Sequence, residues 1–298
     1  MTIYHNNIGG DVGSIGGGNT FHGPVAGSMT WPGGERPRPS SSGAEVGVLT
    51  VLPAEIRAVT AAFKQMYDYH ERPLRHGPLA REAWLPGPGG RVRVAAVQIL
   101  HPGTEAAALA YRGLVDEYDP AAVLLVGIAG GVSPRVGIGD VVISDEVIMY
   151  DPRRLEPGGV AHRGQSQPVA AELRHRVNDF FAATPVVQHR TSGESYGLHH
   201  GPIGSGNAVV TDPDAEIRQW LCRVNEKVLA VETEAAGVAQ SFHESVGHDN
   251  RTRGWLTIRG ISDTADESKD DDHHGLAARH AAEVMAMLVP FLGRGVNR

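Results

Sequence analysis

From residue 45 onward, short apolar runs alternate with longer stretches whose apolar residues recur at helical spacing. EVGVLTVL is the first apolar run and reads as a strand. Pro53 follows and starts a helix, AEIRAVTAAFKQMY, with Ile56, Val59, Phe63 and Met66 on one face. RVRVAAVQIL alternates and then becomes continuously apolar, and GTEAAALAYRGLVDEY is helical. AAVLLVGIAGG is a buried strand ending in a tight glycine turn, and GIGDVVISDEVI is another strand after a turn. AAELRHRVNDFFAA and DAEIRQWLCRV read as helices, with strands at PVVQHR and near GPIGSGNAVV. VLAVE is a short strand with the helix EAAGVAQSFHESV behind it. WLTIRGISD is the last strand, and LAARHAAEVMAMLVPFL closes the chain as a helix. Such alternation predicts an α/β fold, a buried sheet covered on both faces, in three α/β/α layers over residues 45–294. The polar stretch DPRRLEPGGVAHRGQS, residues 151–166, is broken by Pro and Gly and reads as an excursion near the strand ends.

Residues 1–44 follow another pattern. Glycines recur from Gly9 to Gly27, then come Pro32, Pro37, Pro39 and the run Ser40 to Ser42. Such a segment loses much entropy on ordering and has few large apolar residues to bury, so it reads as a flexible Gly-rich N-terminal tail with a linker at Pro32–Gly43. Within the first 27 residues, Asn7, Ile8, Val12, Ile15, Asn19, Phe21 and Val25 punctuate the glycines, and Asp11 is the one carboxylate. Low charge and spaced β-branched residues suit cross-β stacking between chains, whereas the glycines argue against an autonomous β structure.

Composition narrows the function classes. Lys plus Arg number 27 against 34 Asp plus Glu, a formal net charge of -7, which is the reverse of a nucleic-acid-binding balance. The lone Cys222 excludes an intramolecular disulfide and a cysteine-rich zinc site and fits a reducing, cytoplasmic setting. No uninterrupted apolar run approaches ~18 residues, so no membrane span is expected. The start, MTIYHNNIGG, lacks the basic-then-apolar pattern of a signal peptide.

The candidate chemistry lies at the predicted strand ends. Glu55 follows the first strand, Glu232 and Glu234 bracket Thr233 at the exit of VLAVE, and Asp263 ends the last strand. In α/β sheets the crevice beyond the carboxyl ends of the strands is the usual ligand site, so these acids are candidates for base, sugar-binding and proton-donating roles. Arg259 and Ser262 precede Asp263 in the same strand, and an unpaired charge there would be costly, so Arg259 is expected to pair with a carboxylate or order the site. Ser205 and Asn207 suit either strand or turn positions. VGIAGG is neither GxGxxG nor GxxxxGK[ST], which removes dinucleotide and P-loop readings, although its glycines would let backbone N–H groups approach a ligand. There is no HExxH, and the serine of GSGNA is not in a nucleophile elbow. The run KDDDHH, Lys269 to His274, reads as a solvated loop rather than a metal site, so no metal or organic cofactor is expected.

Four segments in this order, VGIAGGVSPRVGIGDVVISDEVI, GSGNAVV, VLAVETEAAGVAQ and IRGISDTAD, resemble the purine nucleoside phosphorylase/uridine phosphorylase superfamily over residues 45–294. The functional pattern looks like that of the 5'-methylthioadenosine/S-adenosylhomocysteine nucleosidases. The resemblance implies that Glu55 activates water, Glu234 binds ribose hydroxyls, Asp263 protonates adenine at N7, Val209 and Val210 line the base, and Arg259 supports the aspartate region. It also implies a homodimer or higher homo-oligomer acting on a purine nucleoside or nucleotide. Two departures bear on the substrate: Thr233 stands where the family has methionine, and Val209 where it has an aromatic residue. Ile128 replaces a frequent hydroxyl, and TVLPAE replaces the Gly–Arg phosphate loop, which favours hydrolysis over phosphorolysis. Arg153, Arg154, Arg163, His199 and His200 lie in polar loops that could meet a substrate phosphate, or be ordinary surface. Residues 6–27 weakly resemble short bacterial amyloid-signalling motifs, which implies a signalling or defence partner recruited through the tail.

Overall fold

The computed structural model describes residues 12–14, 20–22, 43–75, 77–87, 90–189, 194–245, 251–265 and 273–292. The chain separates into two units, residues 1–40 and 41–298. In the first, β1 (Val12–Ser14) and β2 (Thr20–His22) pair antiparallel, Val12 opposite His22. The glycines argue against an autonomous β structure, and this short pairing departs from that expectation. Val12, Thr20 and Phe21 are strand-favouring residues, and within the two strands Gly13 is the one glycine. The rest of the tail, the linker except Gly43, and Lys269–Asp272 of the KDDDHH run lie outside the described residues.

In the second unit the order begins β3 (Val46–Thr50), α1 (Pro53–Lys64), β4 (Tyr67–Pro73), β5 (Leu79–Gly87), β6 (Gly90–Gln98), α2 (Thr104–Tyr118) and β7 (Ala122–Gly131). It continues β8 (Val141–Ser144), β9 (Glu146–Met149), β10 (Arg153–Glu156), β11 (Gly159–His162), β12 (Gln165–Pro168), α3 (Ala171–Ala183), β13 (Val187–His189) and β14 (Ser195–His200). It ends β15 (Ile203–Ser205), α4 (Glu216–Val224), β16 (Ala230–Glu232), α5 (Ala235–Ser245), β17 (Gly254–Asp263) and α6 (His274–Leu292). A mixed sheet of 13 strands runs β12-β9-β15-β16-β7-β17-β8-β14-β13, with β3 joined to β7 and carrying β6, β5 and β4 outward. α1, α3 and α6 pack together on one side of it, and α2 packs with α5 on the other. The expected α/β layering is therefore present.

Local chemistry explains the central elements. Every residue of β17 is buried, as expected of a strand covered on both faces. α1 begins with Pro53 at its first turn and buries Ile56, Val59 and Phe63 along one stripe. α6 is long and apolar enough, by length and composition, to cross a membrane. Its Ala278, Ala281, Val284, Met285 and Leu288 are buried within the core that β7 and β17 share, which is the packing of a core helix.

Three expectations change. β4 and β5 were not legible as strands, because β4 (YDYHERP) is almost wholly polar and held by its antiparallel partner. The stretch 151–166 is no mere excursion: it forms the exposed hairpin β10–β11 and enters β12, which pairs with β9. VGIAGG is the continuation of β7 itself rather than a turn.

Candidate active site

The site arises where β7 loses a neighbour. β3 accompanies β7 from Ala122 to Leu125 and then turns into α1. β16 meets β7 only at Gly130 and Gly131, running antiparallel. Between those contacts, that edge of β7 is open. The carboxylate of Glu55 enters the gap, and its Oε1 accepts the Ile128 N–H at 2.9 Å. Its Oε2 accepts the N–H groups of Val51 at 2.7 Å and Leu52 at 2.8 Å, satisfying donors at the start of α1. Glu55 therefore caps its own helix and patches the sheet. One acceptor position on Oε1 is left over from these bonds.

The same gap receives a buried ion cluster. The Arg259 guanidinium, in the middle of β17, donates to Glu232 Oε2 and, at 3.1 Å, to Glu234 Oε2. The Glu232 carboxylate also accepts the N–H groups of Glu234 and Ala235 at 3.0–3.1 Å, so it caps α5. Glu234 Oε1 accepts the Gly103 N–H at 3.1 Å and the Thr233 hydroxyl. The glycine content of β7 makes room: a Cβ on Gly127 would collide with both Glu55 and Arg259. Burial pushes the Glu55 carboxyl above its ordinary value, and Arg259 and the three N–H donors counteract only part of that. Burial likewise raises Glu232, opposed by Arg259 and reinforced by Glu234. For Arg259 the burial penalty is overcome by Glu232, Glu234 and Glu55, which hold its pKa up. Three glutamate carboxyl groups surround one guanidinium, so carboxyls outnumber cations there, and each one that ionises favours a developing cation.

At the far end of β17 the register with β7 shifts between Ile261 and Asp263, a bulge that re-aims Asp263. The Asp263 carboxylate accepts the Ser262 hydroxyl and the Ala265 N–H, each at 2.8 Å. A Cβ on Gly130 would lie 2.9 Å from Asp263 Oδ1, so this glycine too is required by close approach.

These groups line one cavity of about 210 Å³, with Leu52, Pro102, Ile128, Val209, Val210 and Thr233. Val210 is buried and Val209 is 62% exposed at the mouth. Thus Glu55, Ile128, Val209, Val210, Glu232, Thr233, Glu234, Ser262 and Asp263 all line the cavity, and Arg259 supports it from beneath through Glu232 and Glu234. With this arrangement established, the comparison with known families is decisive: the family model of the phosphorylase superfamily matches residues 45–290. The chain belongs to the phosphorylase superfamily.

Within that superfamily it is 26% identical over 258 residues to the ATP nucleosidase Cap17 of Escherichia coli (strain KTE188), covering 80% of this chain and 50% of that protein. The chain thus spans half the length of that relative. It is 30% identical over 203 residues to a 5'-methylthioadenosine/S-adenosylhomocysteine nucleosidase of Tolumonas auensis, covering 62% of this chain and 77% of the relative. The fold is also that of a 5'-methylthioadenosine/S-adenosylhomocysteine nucleosidase of Neisseria meningitidis, with a TM-score of 0.63 and 24% identity, covering 82% of this chain and 98% of the other. The Helicobacter pylori futalosine hydrolase gives a TM-score of 0.64 at 19% identity, over 84% and 99%.

In this phosphorylase-superfamily site several roles differ from the sequence reading. Arg259 pairs with carboxylates as expected, but its partners are Glu232 and Glu234, which converge on the gap beside β7, rather than groups of the aspartate region that the resemblance implied. Between the β7 glycines, the Ile128 N–H is taken by Glu55. Ser205 lies on a buried strand and accepts the Ala236 N–H. None of Arg153, Arg154, Arg163, His199 or His200 lines the cavity. His199 and His200 belong to β14 and pair with Asp140 and Asp145. Among the described residues no group of three or more His, Cys, Asp or Glu side chains suits a metal ion.

Sequence reasoning missed Tyr150. This buried side chain lines the cavity, and its hydroxyl shares a proton between the carbonyls of Gly206 at 2.9 Å and Ala208 at 2.7 Å. Burial and the nearby charges of Glu232, Asp151 and Glu234 push its ionisation far up, so it stays a donor. Asn207 continues the tether, accepting the Thr104 N–H at 3.0 Å and donating to Asp151 at 3.1 Å. The signal available was a tyrosine at the exit of β9, which periodicity alone does not distinguish from core.

Proposed function

We propose that the protein is an N-ribohydrolase that releases adenine from an adenine nucleoside or nucleotide. The observation that carries this reading is the convergence of the buried carboxyl groups of Glu55, Glu234 and Asp263 on one cavity. Breaking an N-glycosidic bond builds positive charge on the sugar and negative charge on the base. Glu234 and its neighbours favour the first, and a proton delivered by Asp263 relieves the second. Glu55, through its remaining acceptor position on Oε1, orients the attacking water and takes its proton. Val209 and Val210 border the adenine, Ser262 orients Asp263 by its 2.8 Å hydrogen bond, and Thr233 lies beside the sugar. Each acid–base contribution is worth roughly 10²–10⁴-fold.

The relatives' names, an ATP nucleosidase and methylthioadenosine/S-adenosylhomocysteine nucleosidases, support adenine as the leaving base. A cavity near 210 Å³ is smaller than the ~300–1,000 Å³ of drug-sized pockets, so a substrate longer than a nucleoside keeps its tail outside the cavity. The commitment of the Ile128 N–H to Glu55 leaves that donor to no phosphate, which favours water as nucleophile. The reading places residues 45–294 as the catalytic domain of a cytoplasmic homodimer or higher homo-oligomer that requires no cofactor. Incubation with methylthioadenosine, S-adenosylhomocysteine, adenosine, inosine, AMP, ATP and NAD, with and without phosphate, tests it. Adenine released without phosphate is the expected result; release only with phosphate would make the protein a purine nucleoside phosphorylase.

A second reading attaches to residues 1–44. Among the described residues β1 and β2 pair as a two-stranded sheet, whose edges another chain could extend. On this reading the tail recruits a signalling partner or a second copy, and the catalytic domain acts as its effector. Deletion of residues 1–30 is expected to abolish co-assembly and leave adenine release intact.

A further inference from the structure

The turn that carries Asp263 is held from outside the cavity. Ala265, whose N–H binds Asp263 Oδ1, is buried and adopts φ of 51°, a left-handed conformation that residues other than glycine rarely take. Such a conformation persists where its surroundings over-determine it. The surroundings here include α4. Arg218 Nη1 donates to the carbonyls of Thr264 and Ala265, each at 3.3 Å, and Nη2 donates to the Val132 carbonyl at 3.2 Å. Val132 follows the end of β7, and Thr264 and Ala265 follow the end of β17. Val132, Ala265, Val210 and Tyr150 also share one small apolar cluster with Leu221 of α4. One guanidinium therefore ties together the ends of the two strands that bound the Asp263 end of the cavity. All of its hydrogen bonds among the described residues go to main-chain carbonyls, and it does not line the cavity itself.

We infer that Arg218 is a positioning residue for Asp263. By fixing the carbonyl side of the left-handed turn, it holds the aspartate where a proton reaches the departing base. The planar fork of donors suits three carbonyls at once, which a lysine ammonium on a flexible stem does not reproduce. This inference rests on the reading of Asp263 as the acid toward adenine.

The test is a double-mutant cycle on the full chain, in single turnovers with enzyme in excess, using methylthioadenosine or ATP, whichever the wild type cleaves. Arg218→Ala is expected to lower the rate of adenine release roughly 10–100-fold, with the substrate concentration for half-maximal rate changed less than about threefold. Asp263→Asn is expected to be slower still, and the double variant no slower than Asp263→Asn alone. Added guanidinium ion should restore part of the Arg218→Ala rate, and Arg218→Lys should remain impaired although its charge and fold are kept. Losses that multiply in the double variant, or an Arg218→Lys protein with the wild-type rate, would overturn the assignment. A folded wild type that releases no adenine from any compound would instead overturn the reading of the site itself, and this role with it.

Discussion

Replacement of Arg259 by methionine exposes the electrostatics of the site most clearly. Methionine keeps much of the side-chain length but removes the cation between Glu232 and Glu234, both buried. Removing one partner of a buried ion pair costs about 3–5 kcal/mol, because the other charge is left uncompensated. For a domain of this size, ~2–4 °C per kcal/mol gives a fall in Tm of roughly 6–20 °C at neutral pH. The loss should depend on pH in a definite direction. Burial already holds Glu55 and Glu232 above the ordinary carboxylate range, and Arg259 is the largest influence opposing it at each. Without it both rise further. A carboxyl whose folded pKa exceeds its unfolded pKa leaves stability intact below the unfolded value and takes it away as pH rises through the folded one. The deficit of Arg259→Met should therefore be small near about pH 4–5 and grow toward about pH 8. Thermal unfolding of wild type and variant across that range, in one ionic strength, reads it directly. A deficit independent of pH, or one that grows toward acid, would refute the argument.

Other consequences follow from single contacts. Glu55→Gln should reduce adenine release by roughly 10²–10⁴-fold while substrate still binds, measured by single-turnover kinetics beside equilibrium binding. Gly130→Ala places a methyl group 2.9 Å from Asp263 Oδ1 and from the Ala265 side chain, so its kcat should fall at least about tenfold with a loss of stability of ~1–3 kcal/mol, read by kinetics and urea unfolding. Tyr150→Phe removes the proton shared by the Gly206 and Ala208 carbonyls, so KM should rise several-fold with a smaller change in kcat. Far from the cavity, burial opposes ionisation of Glu82 but hydrogen bonds from Arg93, Tyr118 and Arg72 outweigh it, holding its pKa at about 2. The stability it contributes is present above its unfolded pKa and is lost as pH falls through about 2, so Glu82→Gln should flatten the acid limb of Tm against pH without changing kcat.

What was legible in the sequence follows from how local each determinant is. The alternation of apolar runs and helical stripes is local, and β3, α1, β7, β17 and α6 were readable from it. Glu55, Glu234 and Asp263 were readable because each lies at or just beyond the end of a recognisable strand, and Glu234 and Asp263 sit in motifs resembling a known family. β4 and β5 were not, since β4 carries few apolar residues and is held to β5 by pairing and by the ion pairs of Glu82 with Arg72 and, from β6, Arg93. The glycines of VGIAGG were misread as a turn because a strand glycine required by close approach looks the same as a turn glycine. Only the structure shows that Glu55, Arg259 and Asp263 occupy the space their side chains would fill. Partner choice was equally invisible: Arg259 had several carboxylates to choose from, and the open edge of β7 decided in favour of Glu232 and Glu234. Tyr150 and Arg218 act through main-chain carbonyls, which leave no sequence signature.

The central claim is that water attacks the sugar while adenine departs. Single turnover of the cleaved adenine compound in ¹⁸O-labelled water, with phosphate present, tests it most directly. The account predicts free adenine and a reducing sugar carrying ¹⁸O at its anomeric carbon. Ribose 1-phosphate, or its 5'-substituted equivalent, with no label from water would contradict it.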